Sequence, residues 1–249
     1  MIVMRPAQLD AFRVVAQQRF DRRLLAAVAH SFTREFSGLG PAGLMAVVCL
    51  GRERAALQGW HSEQAVFLYL SLMLMLGAGF ERDRLLPWVQ AELARSAAEP
   101  ALDRIFALHG TALDYLDEVA GERNEQLIKA LLRLRDFDLG TCEVWAAEDA
   151  ARRLAQTLSA LYPAKAKRLG QPGLLALADA ARLKAGQHGL SSLRALALTA
   201  GLMFLLGSDF DADPALAWVP KALTVDAEPP ERERRLQRAA MDYLHQGLA

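Results

Sequence analysis

The stretch AVFLYLSLMLMLGAGF, residues 65–80, decides the fold, and ALALTAGLMFLLGSDF, residues 195–210, repeats its character 130 residues later. Both are apolar on nearly every side until they reach a Leu-Gly step, and both end in Phe. Neither shows the period-two alternation of a half-buried strand. Each run also falls short of the roughly 18 apolar residues that span a bilayer. We therefore predict two buried central helices and no membrane span.

The same shift of 130 residues aligns much more of the chain than these two helices. The aligned residues include Arg52, Gly59, Gly77, Phe80, Asp83 and Trp88 in the first copy, and Arg182, Gly189, Gly207, Phe210, Asp213 and Trp218 in the second. Aligned Trp and Phe residues are stronger evidence of repetition than shared Ala or Leu. The pattern predicts an all-α protein, a tandem duplication packed as a helical bundle or as a repeat array.

Each copy reads as a unit of about five helices. Residues 1–121 form the first predicted repeat, residues 122–140 a linking helix, and residues 141–249 the second repeat. The first helix of each unit has apolar residues four apart, from Phe12 to Phe32 in one copy and from Cys142 to Tyr162 in the other. Such spacing is typical of one face of an amphipathic helix.

Local signals predict where the next helices begin and end. Pro41 and Pro172 suit the first turn of the second helix, where a missing N–H costs nothing. Ser62 and Ser192 suit the N-cap of the third helix, because a hydroxyl can accept a free backbone N–H there. Glycine is the residue best suited to the left-handed backbone at a helix end. Gly59, Gly77 and their counterparts are therefore predicted helix ends.

The loop after the third helix carries Phe, Asp and Trp in both copies, and we expect these residues to hold the loop on the core. Arg52 and Arg182 lie in otherwise apolar helices, where a permanently charged side chain needs a partner. We hypothesise that Arg52 pairs with Asp83. The equivalent pair in the second copy would join Arg182 to Asp213.

Composition limits the classes of partner and the compartment. Lys plus Arg equals Asp plus Glu at 29 each, so the formal net charge is zero. Proteins that bind nucleic acid usually carry a basic excess or a basic stripe, and none is visible here. The cysteines Cys49 and Cys142 share no motif spacing and suit free thiols in a reducing compartment. Residues 1–10 lack a signal-peptide pattern. We expect a cytoplasmic protein with no nucleic-acid partner.

No motif for catalysis or metal binding stands out. The five histidines, His30, His61, His109, His188 and His245, lack metal-ligand spacing and never coincide between the copies. The acidic loop 209–213 begins like a calcium loop, but Pro214 and Pro220 stand where Gly and Glu are needed. Phosphate-binding, nucleophile-elbow and zinc-protease motifs are missing from the sequence. We predict no catalytic, cofactor-binding or metal-ligating residue.

Residues around the third helix also carry a resemblance to a known family. The matching residues are Gln8-Leu9, Phe12, Arg54, Ala55, Gly59, Tyr69, Leu72, Met73, Leu76-Gly77, Phe80, Asp83 and Pro87-Trp88. This set resembles a bacterial all-helical family similar to the accessory proteins encoded beside type VI secretion effector genes. The second copy departs from the set, with Thr199 in place of Tyr69 and Ala217 in place of Pro87.

The resemblance implies a role in interaction rather than in chemistry, because its residues are packing and capping residues. The implied partner is another protein, a secreted effector or its loading machinery, and the implied role is that of an adaptor or co-chaperone. One alternative is an immunity protein that neutralises a cognate toxin. A second alternative is an enzyme with a site between the repeats, which would need a deep pocket where at least two polar or titratable groups converge.

Overall fold

The chain is a bundle of α-helices. A computed structural model describes residues 5–33 and 39–248, with only the backbone for residues 6–9, 247 and 248. Within these ranges the structure has eleven α-helices and no strand, which confirms the all-α class. The helices are α1 Pro6–Ser31, α2 Gly40–Leu57, α3 Glu63–Leu76, α4 Pro87–Arg95, α5 Ala101–Ala120, α6 Glu125–Arg135, α7 Ala150–Leu161, α8 Pro163–Gln187, α9 Leu193–Leu206, α10 Trp218–Ala222 and α11 Pro229–Leu248.

The capping pattern of the central helices α3 and α9 matches the sequence prediction. The hydroxyl of Ser62 accepts the N–H of Ala65 at 3.2 Å, and the hydroxyl of Ser192 accepts the N–H of Ala195 at 2.9 Å. Gly77 and Gly207 end the two helices with φ angles of 100° and 98°. A side chain strains this backbone region, so glycine is required at both ends.

Two hydrophobic cores lie side by side, each built around one central helix. The first core extends along the chain from Leu24 to Val119 and surrounds α3. The second extends from Ala130 to Ala240 and surrounds α9. The linking helix α6 packs against α5 of the first half and α11 of the second. Helices of the two halves thus correspond in order, whereas their origin in a duplication stays a prediction.

The start of each half is where the two differ. Helix α1 is continuous from Pro6, but the helix of the second half begins only at Ala150. The prediction of a helix beginning at Cys142 is therefore wrong. The Asp138 carboxylate accepts the N–H of Gly140 at 2.8 Å, and the Thr141 hydroxyl donates to the Asp138 carbonyl at 2.7 Å. These local hydrogen bonds compete with a helix and form a turn instead.

The second helix of the second half starts close to the predicted residue, Pro172, and a further helical segment precedes it. Helix α8 begins at Pro163, and a kink at Gly170, whose φ is 72°, divides it shortly before the predicted start at Pro172. None of the helices in the described ranges is long and apolar enough to cross a membrane.

Candidate functional site at the seam between the halves

The loops that follow α3 and α9 bind each other through two aspartates. The Asp83 carboxylate accepts the backbone N–H of Ser208 at 2.9 Å, and the Asp213 carboxylate accepts the N–H of Ala78 at 3.0 Å. Asp83 and Asp213 are 130 residues apart, and so are the residues that they bind, Ala78 and Ser208. The two contacts are therefore reciprocal. All of these groups except Ser208 are buried, and Ser208 is half-buried. The seam is thus joined by the same hydrogen bond made in both directions.

Each aspartate also organises its own loop. A second carboxylate oxygen of Asp83 accepts the N–H of Leu85 at 2.9 Å, and Asp213 does the same with Ala215 at 2.8 Å. Burial raises the pKa of Asp213, against the opposing effect of the N–H groups of Ala215 and Ala78. The Asp213 carboxylate thus caps the turn that begins at Pro214 and also joins the two halves.

The Leu-Gly steps meet back to back at this seam. A Cβ atom on Gly77 would lie 2.6 Å from the carbonyl oxygen of Leu206, and one on Gly207 would lie 3.1 Å from that of Leu76. Contacts this short force the backbone to move. Glycine is therefore needed here for close approach as well as for its positive φ.

The two cores also exchange one residue each. Leu85, from the first half, is buried in the core of the second half. Its counterpart Ala215 packs against the core of the first half, and the short 3-10 turn Pro214–Leu216 lies on α2. The halves are interlocked, so the seam stabilises the fold and is occupied by the protein itself.

The predicted ion pairs of the two shared arginines are wrong. Arg52 faces α1 and pairs with the buried Asp21 at 3.0 Å. Arg182 is exposed and makes no ion pair among the described residues. The carboxylates of Asp83 and Asp213 bind backbone N–H groups instead of Arg52 and Arg182.

Ion pairs between the second helix and the loop do form in both halves, but from the basic residue two positions after each shared arginine. Arg54 approaches Glu81 at 4.0 Å and donates to the Ala78 carbonyl, while Lys184 pairs closely with Asp211. Both pairs are related by the shift of 130. Residues 54 and 184 are both basic, and residues 81 and 211 are both acidic. This shared charge was a signal in the sequence that could have identified the two ion pairs.

The remaining shared residues pack where the loops meet the cores. Phe80 is buried with its ring centroid 5.1 Å from that of Tyr69. Trp88 lies 5.4 Å from Tyr115, and Trp218 lies 5.5 Å from Tyr243. Phe210 is also buried, and Gly59 and Gly189 end their helices with φ angles of 79° and 66°. These side chains position the loops.

Several titratable groups lie close to the seam. Burial lowers the pKa of the half-buried Lys165 to about 8, although the charge of Asp83 opposes the change. The Lys165 ammonium lies 5.5 Å from the centroid of the Phe204 ring. Burial, reinforced by Glu81, raises the pKa of the Tyr69 hydroxyl well above its ordinary value. The Ser208 hydroxyl also donates to the Asp83 carboxylate, which already accepts the N–H groups of Ser208 and Leu85.

The cavities are unlike an active site. The enclosed one lies between α6, α7, α9 and α11, is lined by apolar side chains and holds about 20 Å³, the space of about one water molecule. A second, open cavity of about 290 Å³ contains one titratable side chain, that of Arg182, beside Ser191 and Ser192. The described residues form no cluster of three or more potential metal ligands. Neither of these two cavities brings two titratable side chains together.

One apolar surface distinguishes the halves. In the second half, Leu134 and Phe137 lie over Ala197 and Leu198, which are both buried. The counterparts in the first half are Phe67 and Leu68, which are half-buried. Leu116 is likewise half-buried, whereas Leu244 is buried. We name Phe67, Leu68 and Leu116 the open apolar face.

The open apolar face follows from the difference between α1 and the start of the second half. In the second half the chain turns at Asp138 and places α6 and the turn over α9. In the first half α1 runs straight, and residues 10–16 are exposed on all sides. Sequence reasoning missed this surface because the apolar spacing is the same in both copies.

Comparisons with known proteins provide no further assignment. The chain matches no protein-family model, no curated protein and no solved structure.

Proposed function

We propose that the chain is a non-enzymatic protein-interaction module, an adaptor or co-chaperone that binds a type VI secretion effector in the cytoplasm. The observation that carries the proposal is the open apolar face. Its counterpart in the second half is covered by the chain's own helical segment. Phe67, Leu68 and Leu116 remain half-buried, and such a partly exposed apolar surface is suited to a segment from another protein.

The covering segment of the second half indicates the chemistry of the partner. Helix α6 and the turn after it place Leu134, Phe137 and Leu139 over α9, with apolar residues two to three positions apart. A partner segment built in the same way, a helix end followed by a turn, would bury Phe67 and Leu68 in the same manner.

Co-expression with the effector encoded beside this gene tests the proposal. The wild-type chain should co-purify with the effector, and Leu68→Glu should abolish co-purification, because a carboxylate on the open apolar face opposes burial. The matched control is Leu183→Glu, at a position on α8 that is 71% exposed and remote from this face in the sequence. Equal retention by both variants, or a chain that co-purifies with nothing, contradicts the proposal.

An effect on secretion separates an adaptor from an immunity protein. Deleting the gene should reduce export of the effector while leaving the producing cells viable. Cells that survive the toxin only when this protein is present would instead establish neutralisation, and the adaptor role would be wrong.

A further inference from the structure

We call the start of α1, from Pro6 to Arg19, the arm. Residues 10–16 are exposed, and they include Phe12, 61% exposed, and Val15, 45% exposed. The arm is about 20 Å long, at 1.5 Å per residue. Its exposed apolar side chains would be stabilised by burial against another surface. An apolar helical arm therefore needs a surface to lie on.

Helix α5 carries an exposed stripe of residues that are spaced along the helix like those of the arm. Gly110, Leu113 and Asp117 are exposed and lie three and four residues apart, on one side of the helix. Phe12, Val15 and Arg19 in the arm have that spacing too. A Cβ atom added at Gly110 would meet nothing within 4 Å, so the glycine leaves a notch in the surface.

We propose that the chain forms a two-fold dimer in which the α1 arm of each copy lies parallel to α5 of the other. In this register Phe12 enters the notch at Gly110, Val15 covers Leu113, and Arg19 meets Asp117. An antiparallel arrangement would instead place Phe12 against the carboxylate of Asp117. The order of residues along the two helices thus selects the parallel one.

Charge complementarity selects a second copy as the occupant. Arg19 and Arg22 are exposed on α1 and have no ion-pair partner in the described ranges. Asp114 and Asp117 are exposed on α5 and are unpaired there as well. These charges of opposite sign on α1 and α5 attract each other between molecules. Because a two-fold interface uses each surface twice, one dimer covers both arms and both stripes.

This self-association goes beyond the proposed function and is tested without any effector. The stripe borders the open apolar face, since Leu113 and Leu116 are one helical turn apart, but it lies on the outward side of α5. Failure of the dimer leaves effector binding untouched, and failure of effector binding leaves the dimer untouched.

Sedimentation equilibrium of the purified chain, over about 1–100 µM, is the first measurement. We expect a concentration-dependent dimer. Arg19→Glu and Asp117→Arg should each weaken dimerisation about tenfold or more, because each places like charges together at both contacts. The double variant Arg19→Glu with Asp117→Arg should restore it. The control Arg153→Glu, at an exposed arginine of α7, should dimerise as the wild type does.

Cross-linking provides a measurement that does not depend on affinity. A Val15→Cys chain mixed with a Leu113→Cys chain should form an intermolecular disulfide under mild oxidation. Val15→Cys mixed with Leu183→Cys should not. A monomer throughout the concentration range, a dimer indifferent to the charge reversals, or equal cross-linking in both mixtures would overturn the proposal.

Discussion

The carboxylate of Asp83 accepts the backbone N–H of Ser208 at 2.9 Å, across the seam between the two halves. The counterpart of this contact joins Asp213 to Ala78 at 3.0 Å. Two residues that are 125 and 135 positions from their partners therefore hold the loops of both halves together. The seam is a structural joint, and its stability should respond to substitutions at either end.

Loss of an aspartate at the seam should destabilise the fold. Asp83→Ala leaves the N–H of Ser208 without its acceptor, and we expect a loss of about 1–3 kcal/mol in the free energy of unfolding. Asp213→Ala should behave similarly. Urea denaturation followed by circular dichroism measures the change. Asp226→Ala, which removes an exposed ion pair with Arg235, should cost less than about 1 kcal/mol. Equal costs at positions 83 and 226 would contradict the role of the seam.

Alanine at the Leu-Gly steps should be more disruptive than at other glycines. Gly77→Ala brings a methyl group within 2.6 Å of the Leu206 carbonyl and strains a φ of 100°, so we expect a loss of more than about 2 kcal/mol. Gly207→Ala should cost less, since its nearest contact would be 3.1 Å. Thermal melting ranks these variants.

Gly186→Ala is the matched control for this series. Gly186 lies inside α8, and an added Cβ atom would meet nothing within 4 Å. Because Gly186 lies in the last turn of α8, alanine there should be neutral or stabilise the protein by up to about 0.5 kcal/mol. The same loss at Gly186 and Gly77 would show that the close approach does not matter.

The observed ion pairs predict a large loss of stability at one position of α8, Lys184, and almost none at another, Arg182. Lys184→Ala leaves the Asp211 carboxylate with one fewer charged partner, and we expect a loss of about 1–3 kcal/mol. Arg182→Ala removes an exposed side chain without an ion pair and should change stability by less than about 0.5 kcal/mol. Chemical denaturation of both variants measures the difference. A larger loss at Arg182 would favour the original pairing with Asp213.

Lys165 should make stability rise with pH in the alkaline range. Its pKa is about 8 in the folded chain, against 10.5 for an ordinary lysine, because burial disfavours the charged form. Between these values the unfolded chain binds more protons, so the free energy of unfolding increases as the pH rises. We expect a gain of about 1–2 kcal/mol, reduced by the partial exposure of the side chain.

Denaturation at several pH values tests this linkage. Lys165→Met should be more stable than the wild type at pH 7 and should lose the rise between about pH 8 and 10. Lys167→Met, at an exposed position of the same helix, should keep it. Parallel stability curves for the wild type and Lys165→Met would contradict the lowered pKa.

Prediction from sequence succeeded where the cause is local. Ser62 caps α3 because its hydroxyl is next to a free N–H, and Gly77 ends the helix because few other residues tolerate its φ. The positions of α3 and α9 follow from apolar runs too long for a strand. These signals depend on neighbouring residues, which the chain presents in order.

Prediction failed where the partner is remote. Arg52 was assigned to Asp83, but the angle at which α2 crosses α1 brings it to Asp21 instead. The turn at Asp138 diverts the chain where the apolar spacing predicted a helix. Neither outcome is encoded in a short window, because the crossing of two helices depends on all the side chains between them.

By itself the sequence determined the helical class, the caps and the similarity of the two halves, since propensity, capping and periodicity act within a few residues. Only the tertiary structure decided that Asp83 and Asp213 bind across the seam, and that Leu85 enters the second core. Only it showed that Phe67, Leu68 and Leu116 are half-buried, whereas their counterparts in the second half are buried. The physical reason is that these contacts join atoms more than 100 residues apart, whose meeting depends on the packing of the whole bundle.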